Sequence, residues 1–142
     1  MNEKYMKIAL KEAQKAYKKG EVPVGAVIIK DNKVIAKAYN QKENKQNAVM
    51  HAEILAINKA CKKIKTWHLE NCILYTTLEP CMMCSGAIIQ SRINEIYYAT
   101  KNENFGASNY IKKYNKKIKI YSGILEKESI EILKKFFKEK RK

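Results

Sequence analysis

A chain of 142 residues with 29 Lys and Arg against 14 Asp and Glu, net charge +15, is one ordinary domain and is far more basic than binding a small neutral molecule requires. Chains of this size bury roughly 68–70% of their unfolded surface, so neither disulfide staples nor a second domain is needed. Its four cysteines fit a reducing compartment better than a disulfide framework. No run approaches the ~20 apolar residues of a membrane span, and the N-terminus opens a charged amphipathic stretch in place of an apolar signal core, so no membrane association and a cytoplasmic location are expected.

Met6, Ala9, Leu10, Ala13, Ala16 and Tyr17 share one face of a predicted first helix, which Gly20 stops. Val22 to Lys30 and Val34 to Tyr39 are β-rich runs separated by Asp31-Asn32-Lys33, a predicted hairpin. Met50 to Lys62 reads as a helix with Ile54, Leu55 and Ile57 as its apolar residues, which puts His51 in its first turn. After a strand at Ile73 to Leu78, Pro80 suits the first turn of another helix, where its missing N–H would be unpaired anyway. A strand at Glu95 to Thr100, a loop around Asn102 to Ser108, a short strand near Ile118 to Tyr121 and a last helix over about 127–141 complete the order α-β-β-α-β-α-β-β-α. This alternation predicts a single α/β domain over residues 1–142, a mixed five-stranded sheet with helices on both faces in three α/β/α layers.

Chemistry concentrates at His51-Ala52-Glu53 and Pro80-Cys81-Met82-Met83-Cys84. Zinc prefers four tetrahedral ligands, and His51, Cys81 and Cys84 supply three, leaving one position open for water or substrate. Zinc lowers the pKa of water in such a position from ~15.7 towards ~7. Glu53 follows His51 by two residues, badly placed for the same ion but well placed to reach that water as general base and then acid. Cys81 and Cys84 stand at i and i+3 near a helix start, where the dipole favours thiolates. Cys-x-x-Cys alone also suits a redox pair, or half of a zinc knuckle completed by Cys61 and Cys72. Adding His-x-Glu upstream matches the established H-x-E…P-C-x-x-C signature of zinc nucleobase deaminases and leaves Cys61 and Cys72 as small buried apolar groups. One zinc per chain is expected.

The positive charge calls for a polyanionic partner, the competing origin being a Lys-, Asn- and Ile-rich coding bias. Its distribution favours a partner, because residues 111–142 carry 12 basic and 4 acidic side chains.

With these motifs, the chain resembles the cytidine deaminase-like superfamily and, within it, the bacterial tRNA-specific adenosine deaminases, which convert the wobble adenosine of a tRNA anticodon to inosine. The likeness runs through Glu21-Val22-Pro23-Val24-Gly25-Ala26-Val27, Ala38-Tyr39-Asn40, His51-Ala52-Glu53-Ile54, Thr77-Leu78-Glu79-Pro80-Cys81, Ser91-Arg92-Ile93 and Phe136-Phe137. It implies that Asn40 hydrogen-bonds the flipped nucleoside, that Val22, Pro23 and Leu78 wall its base or sugar, and that Phe136, Phe137, Lys138, Lys140 and Arg141 meet the anticodon loop. It also implies a homodimer and an arginine tRNA. Where many members carry an aspartate facing the backbone of the target nucleotide, this chain has Asn102, with Glu103 one residue away; an amide there would relax discrimination between RNA and DNA. Local readings compete: Asn40 as a turn-capping residue after its strand, and Phe136 and Phe137 as packing of an amphipathic helix with Ile130 and Leu133. Competing functions are a deaminase of free bases or nucleosides of guanine or cytidine type, which needs no basic surface, and a non-catalytic zinc-stabilised RNA-binding protein, in which Glu53 has no duty.

Overall fold

The computed structural model describes residues 2–140. Along the chain run α1 (Glu3–Lys18), β1 (Gly25–Lys30), β2 (Lys33–Tyr39), α2 (Ala52–Ile64), β3 (Cys72–Leu78), α3 (Met82–Ser91), β4 (Glu95–Thr100), α4 (Ser108–Tyr114), β5 (Lys119–Ser122) and α5 (Glu126–Lys140). The five strands form one sheet in the order β2-β1-β3-β4-β5. β1 is antiparallel to both β2 and β3, whereas β3–β4 and β4–β5 are parallel, so the expected mixed sheet is the one observed. The β1–β2 turn places Asp31 and Asn32 at φ 51° and 61°, a left-handed pair that matches the twist of the flanking strands.

Parallel neighbours cannot be joined by a tight turn; each needs a crossover, usually a helix. α3 supplies it between β3 and β4, and α4 between β4 and β5. α4 has no signal in the sequence. The helix is seven residues long, its N-cap Ala107 makes no side-chain cap bond, and only Ser108 and Ile111 are buried, so it offers neither a capping signal nor a helical period.

Side chains alternate between two cores. Ala26, Ile28, Leu74 and Ile96 pack in one cluster with Ala52, Ala56, Ala60, Ile88 and Ile111 of α2, α3 and α4. Val27, Ile29, Tyr75 and Tyr97 pack in the other with Tyr5, Met6 and Ala9 of α1. β1 is buried from Gly25 to Ile29, which explains why its run is continuously apolar. α5 joins the α1 side, tied to β3 by the buried Ser129 hydroxyl, which donates to the Thr77 carbonyl at 2.6 Å.

Small residues set the helix-to-sheet distance. A Cβ at Gly25 would lie 2.0 Å from the Ala9 carbonyl oxygen and 2.6 Å from the Ala13 nitrogen, both backbone atoms of α1. Gly25→Ala is therefore expected to cost more than about 4 kcal/mol, or to prevent folding, because neither partner is a side chain that can turn away. Urea unfolding of the variant measures this.

Candidate metal centre and substrate cavity

Both metal-ligand motifs sit at helix N-caps. His51 caps α2 and Cys81 caps α3, both with extended backbone and neither making a side-chain cap hydrogen bond. His51 thus lies just before the first helical turn and not inside it. Pro80 likewise precedes the cap, because the extended conformation of Cys81 keeps the chain out of the helix until Met82. With no side-chain oxygen at either cap, the first-turn N–H groups keep their positive end turned toward the site.

His51 Nδ1 stands 3.7 Å from Cys81 Sγ and 3.6 Å from Cys84 Sγ. All three ligand atoms lie within 4.8 Å of one another, a group able to hold a metal ion. Without metal the Cys81 thiol is pulled down to about 3, first by the hydrogen bond from Cys84 and, against the opposing cost of burial, also by His51. The same pairing pushes Cys84 up. The donors therefore form a proton-sharing, electron-rich cluster.

Glu53, in the first turn of α2, is 4% exposed. Burial raises its carboxyl to about 7, partly offset by its own backbone N–H and by His51. A carboxyl balanced near neutrality is suited to accepting and returning a proton.

A cavity of about 420 Å³ opens over this cluster. It brings together Val22, Asn40, His51, Glu53, Leu78, Cys81, Asn102 and Phe137, which lie on six separate stretches of chain. The Asn40 side chain donates to the Val22 carbonyl at 3.2 Å and accepts from the Lys42 N–H at 3.2 Å. It thus caps the turn and still keeps one amide hydrogen and one lone pair for a ligand. Asn102 borders the cavity, but its side-chain oxygen accepts from the Phe105 N–H at 3.2 Å; the neighbouring Glu103 borders it as well. Pro23 is buried and is not part of the wall.

The two phenylalanines of α5 divide. Phe136 is buried, edge-on to Tyr17 of α1 at 6.3 Å. Phe137 is 46% exposed and lines both the cavity and an adjoining groove of about 620 Å³, to which Lys138 also belongs. Lys140 lies with its ammonium 5.6 Å over the Phe136 ring, outside both. Arg141 falls outside the described residues.

Several wall residues escaped the sequence reading: Lys42, Lys101, Phe105 and Leu133 line the cavity, and Phe105 is 72% exposed. The first three sit in loops with no period to read; Leu133 reads only as helix core.

A profile of MafB19-like deaminases matches residues 1–141. The chain is 43% identical over 147 residues to a tRNA-specific adenosine deaminase of Bacillus subtilis, covering 99% of this chain and 91% of that one. It superposes with TM-score 0.87 and 37% identity on a structure from a study of A-to-I editing by tRNA:A34 deaminases at the wobble position of transfer RNA, covering 93% of this chain and 100% of that one. A guanine deaminase structure from Bacillus subtilis matches at 37% identity with TM-score 0.69, covering 81% of this chain and 78% of that one.

Proposed function

The chain belongs to the MafB19-like deaminases, in the branch of the tRNA-specific adenosine deaminases, and on that premise we propose that it hydrolyses the wobble adenosine of a tRNA anticodon to inosine. The observation that carries the reading is a His-Cys-Cys cluster and a buried carboxyl sharing one nucleoside-sized cavity.

Zinc is the metal the donors suit. With Zn–S of about 2.3 Å and Zn–N of about 2.0–2.1 Å, tetrahedral ligands stand about 3.6 Å apart for an N–S edge. The observed 3.6 and 3.7 Å match that edge. His51, Cys81 and Cys84 would hold one zinc, which when bound supplies a water activated at neutral pH.

The chain's own groups do the rest. Glu53 takes a proton from the attacking water and delivers it to the adenine, so that the amino group at C6 leaves as ammonia. The uncapped N–H groups opening α2 and α3 stabilise negative charge developing on the reacting oxygen. Asn40 presents its remaining donor and acceptor to the nucleoside, while Val22 and Leu78 give its base an apolar wall. An anticodon loop suits this cavity because its bases are already single-stranded and splay at low cost. Phe137, with Lys138 beside it, offers a stacking face and a cation to a neighbouring nucleotide.

The basic surface distinguishes this reading from a deaminase of free guanine. Binding to anticodon stem-loop RNA should weaken steeply with salt, since each neutralised phosphate releases roughly 0.7 counterion from a single strand. A log–log slope near zero would reject the polyanion partner. Inosine formed in the stem-loop, compared with ammonia released from guanine and free nucleosides, tests the reaction itself.

The two phenylalanines should separate in the same assay. Phe136→Ala is expected to cost about 3–5 kcal/mol of stability by leaving a hole against Tyr17. Phe137→Ala should leave the unfolding midpoint nearly unchanged and weaken stem-loop binding, with a loss of about 1–3 kcal/mol if one base stacks on the ring. Anisotropy titration with chemical denaturation reads both.

A homodimer acting in the cytoplasm completes the proposal. Val49 and Met82 are large apolar side chains left exposed in one chain, and a second copy would cover such groups. Among the described residues no helix is long and apolar enough to cross a membrane.

A further inference from the structure

The cavity has two loop walls, and each hangs on a buried carboxylate that the reaction does not use. On one side, Glu21 is 1% exposed. Its Oε1 accepts the Glu43 N–H at 2.9 Å, and its Oε2 accepts the Asn44 N–H at 2.6 Å and the Asn44 side-chain amide at 2.5 Å. This fixes the turn that follows Asn40 and carries Lys42 to the cavity wall. On the other side, Glu79 immediately precedes Pro80 and the ligand Cys81. Its Oε1 accepts the Asn102 N–H at 3.2 Å, and its Oε2 accepts the Ser108 N–H at 3.2 Å and the Ser108 hydroxyl at 2.6 Å. The loop that bears Asn102, Glu103, Asn104 and Phe105 is thereby held against the start of α3, where Gly106 bridges to Cys81 and Ala107 donates to the Pro80 carbonyl at 2.9 Å.

The two arrangements share one pattern: in each, a single carboxylate accepts a main-chain N–H on either oxygen and a side-chain donor on one of them. Only a carboxylate can do this. A glutamine turned either way would set its NH₂ against a main-chain N–H, exchanging an acceptor for a second donor. A Cβ at Gly106 would also lie 2.4 Å from Glu79 Oε1 and 2.6 Å from the Asn102 carbonyl oxygen, so the loop packs directly on its anchor.

Resting on the RNA reading above, we propose that Glu21 and Glu79 are paired positioning residues that preform the two loop walls of the cavity, so that an RNA loop meets Lys42, Lys101, Asn102 and Phe105 already in place. Both carboxylates act through their loops; the two oxygens of each are taken up by the donors named. Ordering such loops at the moment of binding would otherwise be charged against affinity.

The test compares Glu21→Gln and Glu79→Gln with wild type in full-length, zinc-loaded protein, measuring kcat and KM on an anticodon stem-loop, its Kd, bound zinc and the unfolding midpoint. The expected result is a KM and Kd raised on the order of tenfold with kcat within about threefold and zinc unchanged. A kcat that falls only with the folded fraction, at wild-type KM and Kd, would overturn the proposal by showing a purely structural role. If a glutamine variant does not fold, Asn44→Ala and Ser108→Ala remove one donor from each anchor and keep the carboxylate. They should raise KM in the same direction by a smaller factor, and unchanged KM and Kd in both would overturn it equally. Wild-type protein that binds the stem-loop but makes no inosine would sink the proposed reaction, while the Kd ratios still decide the role of the two carboxylates.

Discussion

Glu53→Ala should lower kcat on stem-loop RNA by about 10²–10⁴, the usual worth of a positioned proton-transfer group, while the protein keeps its metal. The carboxyl is nearly enclosed, stands two residues from a ligand that it does not replace, and is held by burial near neutrality, so it is poised to gain and lose a proton at working pH. The group able to hold the metal is His51, Cys81 and Cys84, to which Glu53 contributes no donor, which is why zinc content should remain one per chain. Zinc content by plasma emission together with single-turnover rates checks both halves. Normal turnover by the variant would remove Glu53 from the mechanism.

Cys84→Ala should give the opposite pattern, losing metal and turnover together. Cys84 is fully buried, and its sulfur is 3.6 Å from His51 Nδ1; alanine removes a donor that nothing nearby replaces. A ligand that binds only the folded state stabilises it by about 2.7 kcal/mol at a concentration 100 times its Kd, which for a domain of this size is roughly 5–10 °C in Tm. Added zinc should therefore raise the Tm of wild type and leave that of Cys84→Ala where it is, and a chelator should bring wild type down toward its own metal-free value. Equal zinc-dependent shifts in the two proteins would place the metal elsewhere.

The ligand motifs were legible because metal chemistry restricts both residue type and spacing, and β1 was legible as a β-rich run, its burial on both faces showing only in the structure. The mixed five-stranded sheet followed from alternation of helices with strands and from a predicted hairpin, whereas the order of the strands within it showed only in the structure. Features set by tertiary contact were not legible. α4 owes its helical form to a parallel crossover and to the burial of Ile111, and its own residues carry no cap. His51 and Cys81 took the N-cap positions although neither is a good cap, so no capping residue marked either start, and periodicity from Met50 and the fit of Pro80 to a first turn placed both helices too early. Glu21 and Glu79 stood within stretches of family likeness, yet the loops they hold are 22 to 29 residues away in sequence, and local pattern carries no sign of such bonds. The phenylalanine pair was legible as a pair; which ring turns inward depends on the placement of Tyr17 across the α1–α5 contact.

The most direct measurement is to incubate zinc-replete protein with unmodified total tRNA and to map inosine by reverse transcription, in which inosine is read as guanosine. Conversion is expected only for adenosine at the first anticodon position, and is expected to be absent with Glu53→Ala. Conversion of free guanine or adenosine with no change in tRNA, or inosine scattered over other positions, would contradict that expectation.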